Sequence, residues 1–310
     1  MSATPQRAPT PGEGGEPLVS VLMPCFNHER HVVQALQSIA DSTYRNVELI
    51  FIDDASADGS HAAAQAWLTA HAARFARVVA SRHERNRGIS ATLNELVSQA
   101  QGHYLTFCAS DDLLVADGIG LQVQRARETA AEFVFADAQL IDEQGGMVAD
   151  SAIRYFGRSV RRLERPSCLV VDVLLNWEAP WTRIFASAGL IRRLGLFDES
   201  LHFEDRDFVV RVLSHASFTL VPHAVYSYRI RLGNRLTPGL DAARMRLDFQ
   251  RAELKNYRAS RGLVKLMLGL NVLAGKVRFD AQGRSRASLV WPLFAALRRL
   301  VVFGHLAVMR

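Results

Sequence analysis

Two adjacent carboxylates, Asp111 and Asp112, close the segment HYLTFCASDD. The apolar run Tyr104 to Cys108 before them reads as a core strand, which puts the pair at a strand's carboxyl end, where open α/β sheets place their ligands. Adjacent carboxylates repel unless something positive joins them. A divalent cation carrying phosphate oxygens meets that need, and Mg²⁺ or Mn²⁺ suits an oxygen-rich site. Taken alone, the pair is more economically a solvated turn or a helix N-cap. A second acidic group, Glu204, Asp205 and Asp207, opens a helical segment, where carboxylates favour the helix dipole or one of them accepts a proton from a substrate. Arg229 and Arg231 lie in VPHAVYSYRIRLGNRLT, and each guanidinium could clasp phosphate in two places or face solvent. Trp177 and Trp181 could stack on a sugar ring or fill a core.

The elements that position these groups follow from periodicity. LVSVLM, residues 18–23, is a β-branched and apolar run that stops at Pro24, and in HVVQALQSIA the residues Val32, Val33, Leu36 and Ile39 share one helical face. VELIFI, Val47 to Ile52, ends at Asp53 and Asp54, and an Ala-rich helix follows over about 59–71. A third strand, RVVAS, lies near residue 79, a third helix starts around Ser90, and the fourth strand leads to Asp111. Strand alternates with helix, which argues for a parallel, doubly wound sheet with helices on both faces. Asn27, Asp53 with Asp54, Asn86 to Gly88, and Asp111 with Asp112 all fall after strand ends. Each is explicable as turn chemistry, yet together they line one rim. Carboxylates after a second strand suit a nucleoside, so the rim reads as a nucleotide pocket.

Composition bounds the class. The chain has 310 residues, 49% of them apolar, enough for one large domain or a domain with an appendage. Cys25, Cys108 and Cys168 are too few and too scattered for a disulfide framework or a zinc site, which favours a reducing cytoplasm. Residues 1–17 are Pro- and Gly-rich without an apolar stretch, which reads as a disordered leader rather than a signal peptide. The net charge of +6 is uneven: residues 242–310 carry 14 Lys/Arg against 3 Asp/Glu, a net of +11. That leaves −5 for the remainder, so the basic tail is no argument for nucleic acid. The tail holds two apolar stretches, 263–275 and 288–309, the second split by Arg298 and Arg299, and neither makes a spanning helix. An amphipathic helix on an anionic membrane surface and a helical pair packed on the domain are both open, the former favoured by the charge.

VSVLMPCFNHERHVVQALQSI, VELIFIDDASADGS and RNRGISATLNELVSQAQGHYLTFCASDD occur in order over residues 18–112 and resemble the nucleotide-binding half of family 2 glycosyltransferases. The resemblance implies an α/β fold of the glycosyltransferase-A type, a Rossmann-like and mostly parallel sheet with helices on both faces, followed here by a basic helical tail. It implies a catalytic domain over 18–240, with a nucleotide-binding half at 18–115 and an acceptor half at 116–240, and an extension over 241–310. A nucleotide-diphosphate sugar is the implied donor, a glycan or lipid-linked molecule the acceptor, and Mg²⁺ or Mn²⁺ the cofactor. Pro24, Asn27, Asp54, Arg87 and Asp111 then line the nucleotide, and Asp111 and Asp112 form the acidic metal motif. Ala109 stands where many members carry a further Asp.

NWEAPWTRIFASAGLIRRLGLFDESLHFEDRDFVVRV, residues 176–212, resembles the acceptor-side segment of the same family. By that resemblance Asp205 is the general base of an inverting transfer, Glu204 and Trp181 contact the acceptor, and Arg229 or Arg231 neutralises the diphosphate. Arg231 stands where many relatives have a His. The implied setting is synthesis of cell-surface polysaccharide or lipopolysaccharide, in the cytoplasm or on the inner face of its membrane. Two other readings stay open: a nucleotide-sugar-binding protein without turnover, which Ala109 favours, and a phosphoacceptor domain, which leaves Asp205 and the tail unexplained.

Overall fold

The computed structural model describes residues 15–175, 183–201, 203–230 and 242–278. Its first half runs β1 (Val19–Cys25), α1 (Val32–Ala40), β2 (Val47–Asp53), α2 (Ser60–His71), β3 (Arg77–Arg82), α3 (Ile89–Gln99) and β4 (Tyr104–Phe107). β2 and β4 pair in parallel with β1 on either side, and β3 pairs in parallel with β2. After these come β5 (Leu113–Leu114), α4 (Gly118–Thr129), β6 (Phe133–Ile141) and β7 (Met147–Ala149). Three short helices follow, α5 (Ala152–Tyr155), α6 (Val160–Leu163) and α7 (Pro166–Leu175), then β8 (Phe185–Ser187), α8 (Ala188–Leu194) and α9 (Glu204–His215). β9 (Phe218–Arg229), α10 (Ala242–Tyr257) and α11 (Gly262–Arg278) complete the described chain.

The sheet order is β3-β2-β1-β4-β8-β6-β9-β5, with β7 on β6. The short β8 runs antiparallel to both β4 and β6, and β5 runs antiparallel to β9. The expected parallel sheet therefore holds through β4 and again between β6 and β9, joined by one reversed strand. Strand alternation sorts the core into two layers. Val19, Val21, Met23 and Cys25 of β1 pack towards α1, α2 and α4, whereas Leu22, with Ile50 and Ile52 of β2, packs towards α3, α7, α9 and α11.

Two expectations shift. Val33 is exposed although it was grouped with Val32, Leu36 and Ile39, which are buried. Its neighbours one and three positions away fill the stripe, and Val33 lies just beyond its edge. β1 also continues past Pro24 to Cys25. Leu22 accepts from Cys108 N–H on the β4 side, so Pro24, two residues on, turns its missing N–H to the same side, beyond the last paired residue of β4.

The LFDES segment joins the two halves. Asn94 of α3 donates to Phe197 O (3.1 Å) and Glu199 (2.9 Å) and accepts from Phe197 N–H (2.9 Å), while Lys255 of α10 binds Asp198 at 2.6 Å. α10 packs on α9 and α11 on α7, with Ala252, Met267 and Leu268 fully buried. The first apolar stretch of the tail is therefore a packed helix. Its second stretch, 288–309, lies outside the described residues, as do Trp177, Trp181 and Arg231. Among the described residues no helix is long and apolar enough to cross a membrane.

Candidate active site

The rim is built by loops that bind one another before any ligand is considered. Asn27 adopts the left-handed conformation, φ 56°, which Asn tolerates better than most residues. Its N–H donates to Ser56 Oγ (2.9 Å), and its side-chain oxygen accepts from Ala57 N–H (2.8 Å). His28 N–H donates to Ser60 Oγ at 2.8 Å, so the loops after β1 and β2 are stitched together.

Asp54 is buried, and its carboxylate accepts from the N–H groups of Arg87 (2.8 Å) and Gly88 (2.9 Å). His83 Nδ1 lies 2.6 Å from the same carboxylate, and its Nε2 lies 3.2 Å from Glu95. Arg87 closes the circuit by pairing with Glu95. Asp54 thus fixes the β3–α3 loop from a buried position. Pro24 is partly buried at the end of β1, adjoining that loop pair.

Asp111 and Asp112 separate sharply. The Asp111 side chain is 31% exposed, and His28 Nε2 lies 3.7 Å from its carboxylate. It opens on a cavity of about 270 Å³ lined by Asn27, His28, Asp58, Asp111, Glu143 and Arg229. Asp112 is 2% exposed, accepts Arg229 N–H at 2.8 Å and pairs with the Arg183 guanidinium. The assignment of Asp112 to a metal is corrected accordingly: its carboxylate is turned inward and its charge is met by Arg183.

Arg229 requires a second correction. It is 8% exposed and donates to the carbonyls of Asp111 (2.7 Å), Asp142 (2.8 Å) and Glu143 (3.1 Å) and to Gln34 Oε1 (3.0 Å). Its fork therefore holds the Asp111 loop against the β6–β7 turn instead of lying open for a diphosphate. Burial lowers its pKa, and Asp111, Asp142 and Glu143 oppose that effect.

Arg183 was absent from the sequence reading. It pairs with Asp112, lies 5.3 Å from the Tyr226 ring and 6.0 Å from the Tyr228 ring, and acts electrostatically on Asp205. An Arg ahead of a three-residue strand gives no periodic signal. His28 was legible in principle, since it follows Asn27 on the rim.

Glu204 and Asp205 open α9, half-buried. Desolvation raises both carboxyl pKa values; the Asp205 charge adds to the rise at Glu204. At Asp205 the backbone N–H of Arg206, donating at 2.6 Å, and the charges of Arg206 and Arg183 hold the rise in check. Tyr228, 38% exposed, lies within electrostatic reach of both Asp111 and Asp205. Its phenol is pushed up by partial desolvation, opposed by Arg183, and raised further by the two carboxylates. Tyr228 thus links the two carboxylates electrostatically, and Arg183, paired with Asp112, also acts on Asp205. Asp207, the third acid of that turn, is engaged by Arg211 at 3.0 Å and Asn256 at 2.8 Å.

Among the described residues no three His, Cys, Asp or Glu side chains converge as a metal cage. Asp111, partly exposed and with only the His28 ring within 4 Å as an ion-pair partner among the described residues, fits the sparser arrangement of a Mg²⁺ or Mn²⁺ held by one or two carboxylates, water and substrate phosphate.

Residues 20–160 match the family model described as glycosyl transferase family 2. The glycosyltransferase GlyG of Streptococcus pneumoniae is 31% identical over 130 residues, 42% of either chain. The putative teichuronic acid biosynthesis glycosyltransferase TuaG of Bacillus subtilis is 28% identical over 130 residues, 42% of this chain and 50% of its own. The chain thus spans half or less of the length of these relatives. The mannosyltransferase PcManGT from Pyrobaculum calidifontis, solved with GDP-Man and Mn²⁺, superposes with a TM-score of 0.62 at 18% identity, over 95% of this chain and 79% of that one.

Proposed function

We propose that the chain, whose residues 20–160 match the glycosyl transferase family 2 model and which has a glycosyltransferase-A fold, moves a sugar, with inversion, from a nucleotide-diphosphate sugar to a hydroxyl of a glycan or lipid-linked acceptor. The observation that carries this reading is the division of labour between Asp111, partly exposed on the cavity beside Asn27, and Asp205, whose carboxyl is raised in basicity, with Tyr228 in electrostatic reach of both.

In this mechanism Asn27 and the Asp54-organised loop of Arg87 and Gly88 seat the nucleoside. Asp111 faces the diphosphate. A bound Mg²⁺ or Mn²⁺ supplies positive charge to the departing diphosphate, and PcManGT was solved with Mn²⁺. Asp205 accepts the proton of the acceptor hydroxyl as that oxygen bonds to the anomeric carbon. The bond to the diphosphate oxygen breaks on the opposite face, with its electron pair leaving on the diphosphate. General-base assistance of this kind is worth about 10²–10⁴-fold. Glu204, Trp181 and Arg231 are retained as proposed acceptor and diphosphate contacts.

TuaG's name supports a place in polysaccharide synthesis. The connection between α10 and α11 exposes Arg258 and Arg261, whereas Asp248 and Glu253 of α10 are buried, which supports seating of this end on an anionic membrane face. Flotation with anionic liposomes tests that placement, and recovery of all protein in the unbound fraction would remove it. The chemical reading is tested by proton NMR of the product formed from UDP-GlcNAc or GDP-mannose. An inverted anomeric centre is expected, and retention would overturn the assignment of Asp205. A binding protein without turnover is the second reading, favoured by Ala109 and by the Asp112–Arg183 pair, and any product formation excludes it.

A further inference from the structure

The residue after the proposed base is the largest fully buried side chain among the described residues. Arg206 is 2% exposed, and its guanidinium donates to Val173 O (2.8 Å) and Leu174 O (2.9 Å) at the end of α7. It also pairs with Glu253 of α10 and lies 5.5 Å from the Phe249 ring. Glu253 is 5% exposed and accepts a further bond from Asn271 of α11 at 3.0 Å, and Asn271 also donates to Leu174 O at 2.8 Å. The C-terminal helix pair therefore grips the first turn of α9 through a buried charged pair one residue from Asp205.

Such an arrangement is a costly way to achieve stability alone, because well-packed apolar residues of similar size commonly do as well or better. Two consequences follow for Asp205. Its Oδ1 accepts the Arg206 N–H, so fixing Arg206 fixes the direction of that carboxylate. The Arg206 guanidinium is also the nearest cation in sequence, and Glu253 sets how much of its charge is left uncompensated.

We propose that Glu253 is a positioning residue for the reaction: through Arg206 it fixes both the geometry and the charge balance of the turn that presents Asp205. The inference rests on Asp205 being the base. The charged and titratable groups that act on Asp205 are Glu204 and Arg206 of α9, Arg183 ahead of β8, and Tyr228 of β9. Glu253 of α10 acts through Arg206.

The test compares the full chain with Glu253→Gln, the double variant Arg206→Met/Glu253→Leu, and Asp205→Asn. The readouts are release of nucleoside diphosphate from UDP-GlcNAc or GDP-mannose against pH, together with donor KM. Glu253→Gln keeps an acceptor for Arg206 but removes the countercharge. Its acid limb should move to lower pH, with kcat down at least about 10-fold and donor KM unchanged within about 2-fold. The double variant keeps the core filled and removes the Arg206 charge, so its acid limb should move to higher pH, again with a loss in kcat. Unmoved limbs and wild-type kcat in folded variants would overturn the proposal. Failure of both variants to fold would do the same by making the pair purely structural. If Asp205→Asn retains wild-type turnover, the base assignment itself fails. If Asp205→Asn abolishes turnover while the other variants behave as wild type, only the role of Glu253 fails.

Discussion

Replacing Asp112 and Asp111 by Ala should produce opposite phenotypes, although the two residues are adjacent. Asp112→Ala strands the Arg183 guanidinium, whose side chain is 16% exposed, and leaves the Arg229 N–H without its 2.8 Å acceptor. Breaking a buried pair from one side costs about 3–5 kcal/mol, and the residual exposure of Arg183 places the cost near the lower end. At about 2–4 °C per kcal/mol for a domain of this size, the midpoint of thermal unfolding should fall by roughly 6–12 °C. Asp111→Ala removes a side chain that is 31% exposed and 3.7 Å from His28 Nε2, a loss within about 1 kcal/mol. It should unfold within about 4 °C of wild type yet lose donor turnover. Differential scanning calorimetry beside a nucleotide-release assay checks both arms. Equal destabilisation by the two substitutions would refute the inward orientation of Asp112. So would an Asp112→Ala protein with wild-type stability and a selective loss of Mn²⁺ dependence.

Asp205→Asn should lower kcat by about 10²–10⁴-fold without changing donor affinity, as measured by steady-state kinetics and calorimetric titration. Desolvation raises the Asp205 carboxyl, beside the likewise raised Glu204, so the acid limb of wild-type turnover should lie above the ordinary carboxylate value near 4. Arg183→Met removes a charge that favours ionised Asp205, and its acid limb should move upward in the same pH profile. Asp198 is pushed down to about 2, first by the Lys255 hydrogen bond and then by Ser200. Because its folded value lies below the unfolded one, near 3.9, its stabilisation is present above about 4 and lost as pH falls towards 2; Asp198→Asn should flatten the acid-unfolding curve in that window. Gly118→Ala would place a methyl 2.3 Å from Val225 O, and the resulting shift of α4 from β9 should cost about 1–3 kcal/mol in urea unfolding.

The repeating strand and helix periods were legible because β1, β2 and β4 bury both faces and each helix buries one stripe. That periodicity also placed Asn27, Asp54, Arg87 and Asp111 on one rim, since strand ends in a parallel sheet point the same way. The orientation of Asp112 was not legible. It depends on Arg183 and Arg229, 71 and 117 residues away along the chain, brought in by β8 and β9. Arg229 was misread for the same reason: a guanidinium that binds carbonyls looks, in sequence, the same as one that binds phosphate. The tail's basic excess suggested a lipid surface, while Glu253 and Asn271, which tie α10 and α11 to Arg206 of α9, are single polar residues without a pattern.

Thermal unfolding of the wild type and of Asp111→Asn with UDP-, GDP-, dTDP- and CDP-sugars, each with and without Mn²⁺, tests donor binding at the rim most directly. At a ligand concentration of about 100 times Kd, one donor should stabilise the wild type by about 2.7 kcal/mol, or roughly 5–11 °C, only when Mn²⁺ is present. Asp111→Asn should abolish that response. No response to any donor, or a response that survives Asp111→Asn, would contradict it.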